Sequence, residues 1–128
     1  MIVDTSAIVE ALLNASEAER IRQRLDEAET PAVGAPTLVE TSLVLRKYLG
    51  FDPADEITAF LDEYGITIVE FTANHWSEAS RAVERFGRGR HPAKLNFGDC
   101  LTYAVAKLAD QPLLYVGDDF TKTDLRAA

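Results

Sequence analysis

Five carboxylates stand where the chain changes course: Asp4 after a short apolar start, Glu40 among aliphatic residues, Asp99 at the head of an apolar run, and the doublet Asp118-Asp119 after the last one. Each has an ordinary reading by itself. Asp4 would cap a helix that begins near Ser6. Glu40 follows Thr37 at capping-box spacing, or else a helix opens at Pro36 and puts Glu40 on its second turn among Leu38, Val39, Leu43 and Val44, where an acid needs a partner. Asp99 comes three residues after Asn96, a position that the helix dipole favours by a few tenths to about 1 kcal/mol. Of Asp118 and Asp119, one would face a site and the other cap a turn, and spacing does not decide between them. Taken together they say more. Carboxylates from remote segments repel when gathered, and gathering them is stable only around a cation. Hard oxygen donors without paired histidines or cysteines select Mg²⁺ or Mn²⁺. Such a site polarises a phosphoryl oxygen and acidifies water, the chemistry of phosphodiester hydrolysis. No serine–histidine–acid set and no glycine-rich Walker loop competes with it.

Positioning these acids falls to alternating strands and helices. Ile2 to Asp4 reads as a first strand and Ala7 to Asn14 as a helix. Ser16 would cap a second helix to about Glu29, with Ala18, Ile21, Leu25 and Ala28 as its apolar stripe. Ala32 to Ala35 reads as a buried strand, followed by a helix to Leu49 that Gly50 stops. Asp52-Pro53 opens the next helix, which ends near Gly65. Ile66 to Phe71, rich in β-branched residues, is the clearest strand. Thr72 would cap a helix from Ala73 to Phe86, and Asn96 a buried one from Phe97 to Ala109. Pro112 to Gly117 is the last strand, and the tail beyond Asp119 is expected to fray.

The pattern predicts an α/β fold, a mainly parallel twisted sheet of about four or five short strands flanked by helices, as a single domain over residues 1–128. Ligands of such sheets bind at the carboxyl ends of the strands, where Asp4 and Asp118 fall by topology alone. Thr5 and Ser6 are placed to orient a carboxylate or a metal-bound water. His75 and His91 lack ligand spacing and are expected at the surface, Trp76, Phe86 and Phe97 in the core, and Cys100 as a small buried apolar residue.

The single cysteine rules out an internal disulfide framework, and the start of the chain has neither a basic leader nor a long apolar run, so a cytoplasmic protein without membrane attachment is expected. A formal net charge of −8 opposes general nucleic-acid binding. The average hides a local reversal: Arg81, Arg85, Arg88, Arg90 and Lys94 face a single acid, Glu84, within their segment. Arg85, Arg88, Arg90 and Lys94 are the residues expected to steer the phosphates of a substrate towards the acids.

The motifs Val-Asp-Thr-Ser at Asp4, Leu-Val-Glu-Thr at Glu40, Leu-Asn-Phe-Gly-Asp-Cys at Asp99 and Gly-Asp-Asp-Phe at Asp118 and Asp119 occur in this order across nearly the whole chain. In this the sequence resembles PIN-domain ribonucleases, and more closely the VapC toxins of bacterial VapBC systems. The resemblance implies a PIN-like α/β/α sandwich and a Mg²⁺- or Mn²⁺-dependent endoribonuclease that cleaves cellular RNA. It implies a homodimer, and neutralisation by a VapB antitoxin whose C-terminal segment covers the acidic site. Asp4 and Asp99 match the family's main metal ligands, Glu40 its third acid, and Asp118 or Asp119 its fourth, with Asn96 supporting the cluster. A lysine often precedes the glycine of the last motif, and here Val116 takes its place. Two other functions compete. A catalytically silent module of the same fold could bind a partner's arginine in its acidic pocket. Phosphotransfer on Asp4 fits poorly, because Ser6 stands where haloacid-dehalogenase-like proteins carry a second aspartate.

Overall fold

The computed structural model describes residues 1–128. Its strands are β1 (Ile2–Val3), β2 (Ala32–Gly34), β3 (Thr67–Val69) and β4 (Leu113–Leu114), and its helices are α1 (Thr5–Leu12), α2 (Ala18–Glu27), α3 (Ala35–Leu49), α4 (Ala54–Tyr64), α5 (Ala73–Phe86) and α6 (Phe97–Ala109). The four strands form one sheet in the order β3-β2-β1-β4, every pair parallel. Consecutive strand residues point to opposite faces, and the packing follows that rule. The register partners Ile2 and Leu113 join Ala82, Phe86, Tyr103 and Ala106 of α5 and α6 in one core. Val3 and Leu114, also partners, join Ile8, Ile21, Leu25 and Phe60 of α1, α2 and α4 in the other. Helices therefore cover both faces, as the all-parallel sheet requires.

Local chemistry explains how the elements begin. Asp4 caps α1, which starts at Thr5, two residues earlier than expected. α3 starts at Ala35 with Pro36 in its first turn. That excludes the capping-box alternative for Glu40 and leaves it on the second turn. The Thr37 hydroxyl instead pairs with that of Thr102 at 3.1 Å. Asn96 caps α6, its Oδ1 accepting from the amide of Asp99 at 2.8 Å.

Three expectations are corrected. The tail does not fray: Phe120 is buried, and Leu113 both donates to the carbonyl of Arg126 and accepts from the amide of Ala128. Trp76 and Phe97 are not core residues, being 69% and 79% exposed, whereas Phe86 is buried. β3 keeps only three of the residues expected in it, and as an edge strand it leaves Thr67 and Ile68 exposed. No helix is long and apolar enough to cross a membrane.

Candidate active site

The carboxyl edge of the sheet gathers the acids. β1 runs straight into Asp4, which is 5% exposed. Its Oδ2 accepts from the amide of Ser6 at 3.0 Å and from the Ser6 hydroxyl at 2.6 Å. That hydroxyl in turn accepts from the amide of Val116 at 3.0 Å, so one serine ties the exit of β4 to the entry of α1 and fixes the carboxylate between them. Asp4 Oδ1 accepts nothing from the protein.

Asp99 is built in the same way from a different element. Its Oδ2 accepts from the amide of Asn96 at 3.0 Å, completing a reciprocal capping box that holds the carboxylate over the first turn of α6. Its Oδ1 is left free, as in Asp4. Burial, opposed by the Asn96 amide and reinforced by the charges of Asp119, Asp4 and Glu40, pushes the Asp99 carboxyl up to about 7. Of the doublet, Asp119 is the acid whose charge bears on Asp99, while the carbonyl of Asp118 accepts from the hydroxyl and the amide of Thr121.

Glu40 reaches the cluster from α3 across Gly98. A Cβ at position 98 would overlap the Glu40 carboxylate, so the glycine is what lets this acid lie against the start of α6. Sequence reasoning missed Gly98, although its place beside the first acid of a buried helix was a signal.

The residues expected to support the acids divide. Ser6 and Asn96 hold carboxylates directly. Thr5 does not: its hydroxyl donates to the carbonyl of Thr37 at 3.3 Å and stands 3.3 Å from the Thr41 hydroxyl, in a buried threonine cluster that joins α1 to α3 and, through Thr102, to α6. The cluster fixes the three helices that carry the acids, an indirect contribution in place of the expected contact.

The basic segment divides as well. Arg85 pairs with Asp124 at 3.2 Å and lies over the Phe86 ring, and Arg90 pairs with Glu84 at 3.0 Å. Arg88 and Lys94 instead line a pocket of about 370 Å³ with Asp118 and Asp119. Lys122, from the tail that was expected to fray, lines it too.

The donor set is made of oxygens and fits a hard divalent cation. The acids meet within electrostatic range but not as a closed cage: no three acidic, histidine or cysteine side chains stand close enough to share one ion as they lie. Like charges without a counter-ion keep apart, and the same repulsion adds to burial, the larger cause, in raising Asp99. Cys100, pushed up to about 11 by burial and by Asp99, is an inert thiol beside the site.

The model of the PIN domain matches residues 1–125. The chain belongs to the PIN-domain family. Ribonuclease VapC36 of Mycobacterium tuberculosis is 45% identical over 127 residues, covering 98% of this chain and 91% of the relative. Ribonuclease VapC42 of the same species is 38% identical over 129 residues, covering 100% and 98%. Among solved structures, M. tuberculosis VapC20, a sarcin-ricin loop cleaving toxin, shares the fold with a TM-score of 0.80 at 16% identity, covering 99% of this chain and 97% of that one. A toxin–antitoxin complex from Klebsiella pneumoniae aligns with a TM-score of 0.69 at 17% identity, covering 96% and 92%. The four-stranded parallel sheet is thus that of a PIN domain, and VapC ribonucleases are among its relatives.

Proposed function

We propose that this PIN domain is a Mg²⁺- or Mn²⁺-dependent endoribonuclease toxin acting on cellular RNA in the cytoplasm. The observation that carries the reading is the meeting at one sheet edge of Asp4 at the end of β1, Asp99 at the head of α6 and Glu40 against Gly98, with Asp119 on the adjoining pocket wall. Asp4 and Asp99 would hold the ion through the oxygens that the protein leaves free. When bound, the ion supplies Lewis acidity towards a phosphoryl oxygen and an acidified water. Ser6 and Asn96 keep the two ligands aimed, so little reorganisation is left for the reaction itself. Glu40 and Asp119 orient the attacking water and accept its proton, and Asp118 stands at the rim on the substrate's path.

A VapB-type antitoxin is the proposed inhibitor, its C-terminal segment covering the acidic edge. A homodimer is the proposed assembly, and the exposed apolar side chains of Val39, Leu43 and Tyr48 on α3 are compatible with it. One observation favours a second reading. The open spacing of the acids also suits a guanidinium, which would make the domain an arginine-binding module without catalysis.

One experiment separates the two: RNA-end sequencing after brief expression, with purified protein assayed in Mn²⁺ against EDTA. The nuclease reading expects new ends, metal-dependent cleavage, and abolition of both by Asp4→Asn or Asp99→Asn in folded protein. Full cleavage by either variant removes the assignment. Absence of cleavage by the wild type favours the binding module.

A further inference from the structure

The chain has 13 lysines and arginines, and eight of them are held in ion pairs. Of the remainder, Arg22 donates to Asn14 and to the carbonyl of Ala11, and Lys47 stands on α3. The other three, Arg88, Lys94 and Lys122, line the single pocket of about 370 Å³ that Asp118 and Asp119 border. They come from the loop after α5, the approach to α6 and the C-terminal tail, so their convergence is a product of the fold. Lys94 is also strained. Its φ of 52° lies in the left-handed region, which residues with a Cβ rarely adopt. Its neighbours Ala93 and Leu95 are buried and fix the backbone there. Strain kept at a pocket, on a charged residue without an ion-pair partner, points to a ligand of opposite charge.

We propose that Arg88, Lys94 and Lys122 form a subsite for a phosphate of single-stranded RNA adjoining the phosphate that is cleaved. The proposal rests on the nuclease reading above and deepens it. It adds Lys122 to the RNA-contacting residues and removes Arg85 and Arg90, whose charges are already matched within the protein. The subsite places its cations beside the acidic cluster, where they offset the repulsion between the acids and the incoming strand. These side chains position the strand and take no part in bond breaking.

The test measures binding of a fluorescent single-stranded RNA oligonucleotide in EDTA across a salt series. The proteins are the wild type, Arg88→Ala, Lys94→Gly, Lys122→Ala and, as a control of equal charge change, Lys47→Ala. Each subsite variant is expected to weaken binding roughly threefold at moderate salt and to lower the slope of log affinity against log salt by about 1. Lys47→Ala is expected to change neither. Lys94→Gly is the most telling variant, because glycine relieves the backbone: its thermal stability should hold or rise while its RNA affinity falls. Affinities and slopes matching Lys47→Ala overturn the subsite, and a fall in melting temperature without loss of binding would show the cations merely screening Asp118 and Asp119. Dependence on these cations in binding an acidic peptide but not RNA overturns it as well. Wild-type cleavage in Mn²⁺ is scored separately: no cleavage with variant-sensitive binding counts against the nuclease, and cleavage with variant-insensitive binding counts against the subsite alone.

Discussion

Asp99 bears the sharpest electrostatic conflict in the molecule. Its carboxyl, ordinarily near 3.8, rises to about 7 because burial and then Asp119, Asp4 and Glu40 outweigh the amide of Asn96. The folded protein thus keeps a proton that the unfolded chain has released. From about pH 4 upward this group costs stability, and the cost grows until about pH 7 and then levels off. Metal-free protein should melt lower at pH 8 than at pH 5, and Asp99→Asn should raise the pH 8 melting temperature and flatten that dependence. Thermal melts in EDTA at both values check this, and equal slopes in the two proteins would refute it. Gly98 offers a complementary experiment. Gly98→Ala would push against the Glu40 carboxylate, the movable end of a side chain, and not against backbone. Alanine is favoured over glycine in a helix by about 1 kcal/mol, so the fold should keep or gain stability. Displacing Glu40 should meanwhile lower cleavage on the order of 10²-fold, measured as kcat at saturating RNA. The acids themselves were legible in the sequence because a carboxylate at the end of an apolar element is conspicuous. Their supports were less so: Ser6 and Thr5 are adjacent hydroxyls of the same chemistry, and only the direction of each side chain decides that Ser6 holds Asp4 while Thr5 turns to Thr37.

At the scale of elements, apolar stripes and caps placed the helices to within a few residues, and the parallel sheet followed from the alternation of strands with helices; the cap expected at Ser16 does not form, because α2 begins at Ala18 after Glu17 without a side-chain cap. The C-terminal segment escaped because its sequence is polar and its partners are remote. Asp124 accepts from the Tyr103 hydroxyl at 2.7 Å and pairs with Lys107 at 2.7 Å and Arg85 at 3.2 Å, which latches the tail onto α5 and α6. None of these contacts is local, so neither turn propensity nor periodicity could signal them. Trp76 and Phe97 were misplaced for a related reason: residue type suggested burial, but their positions on α5 and α6 turn them outward. The latch makes its own prediction. Burial works to raise the Asp124 carboxyl, yet the hydrogen bonds from Lys107 and Tyr103 and the charges of Lys107 and Arg85 prevail and hold it at about 2. A depressed carboxylate contributes stability above its ordinary value near 3.8, and loses it as pH falls towards 2. Asp124→Asn should therefore destabilise the protein at pH 7 by roughly 1 kcal/mol, a figure kept low because the ion pairs are partly exposed. Urea melts measure the loss, and amide exchange at Leu113 and Ala128 should quicken with it. Unchanged exchange at both amides would mean that Phe120 and the backbone pairing of Leu113 with Arg126 and Ala128 hold the tail without Asp124.

For the molecule as a whole, a net charge of −8 and an acidic sheet edge make the empty protein self-repelling. A divalent cation is then a folding ligand as well as a chemical one, since the unfolded chain disperses its acids and has no comparable site for it. Binding to the native state alone stabilises by about 2.7 kcal/mol at a ligand concentration a hundredfold above Kd. For a chain of this length that corresponds to roughly 10 °C in melting temperature. Mn²⁺ titrated at pH 8 should give a rise of this order, and Asp4→Asn and Asp99→Asn should each remove most of it. The two effects of Asp99→Asn then have opposite signs in one experiment: without metal the variant melts higher than the wild type, and with saturating Mn²⁺ it melts lower. At pH 5 the proton on Asp99 competes with the ion, so the wild-type rise should shrink there. A crossing of the two melting curves with added Mn²⁺ would distinguish a metal site from simple screening of surface charge, because screening would raise both proteins alike and leave their order unchanged.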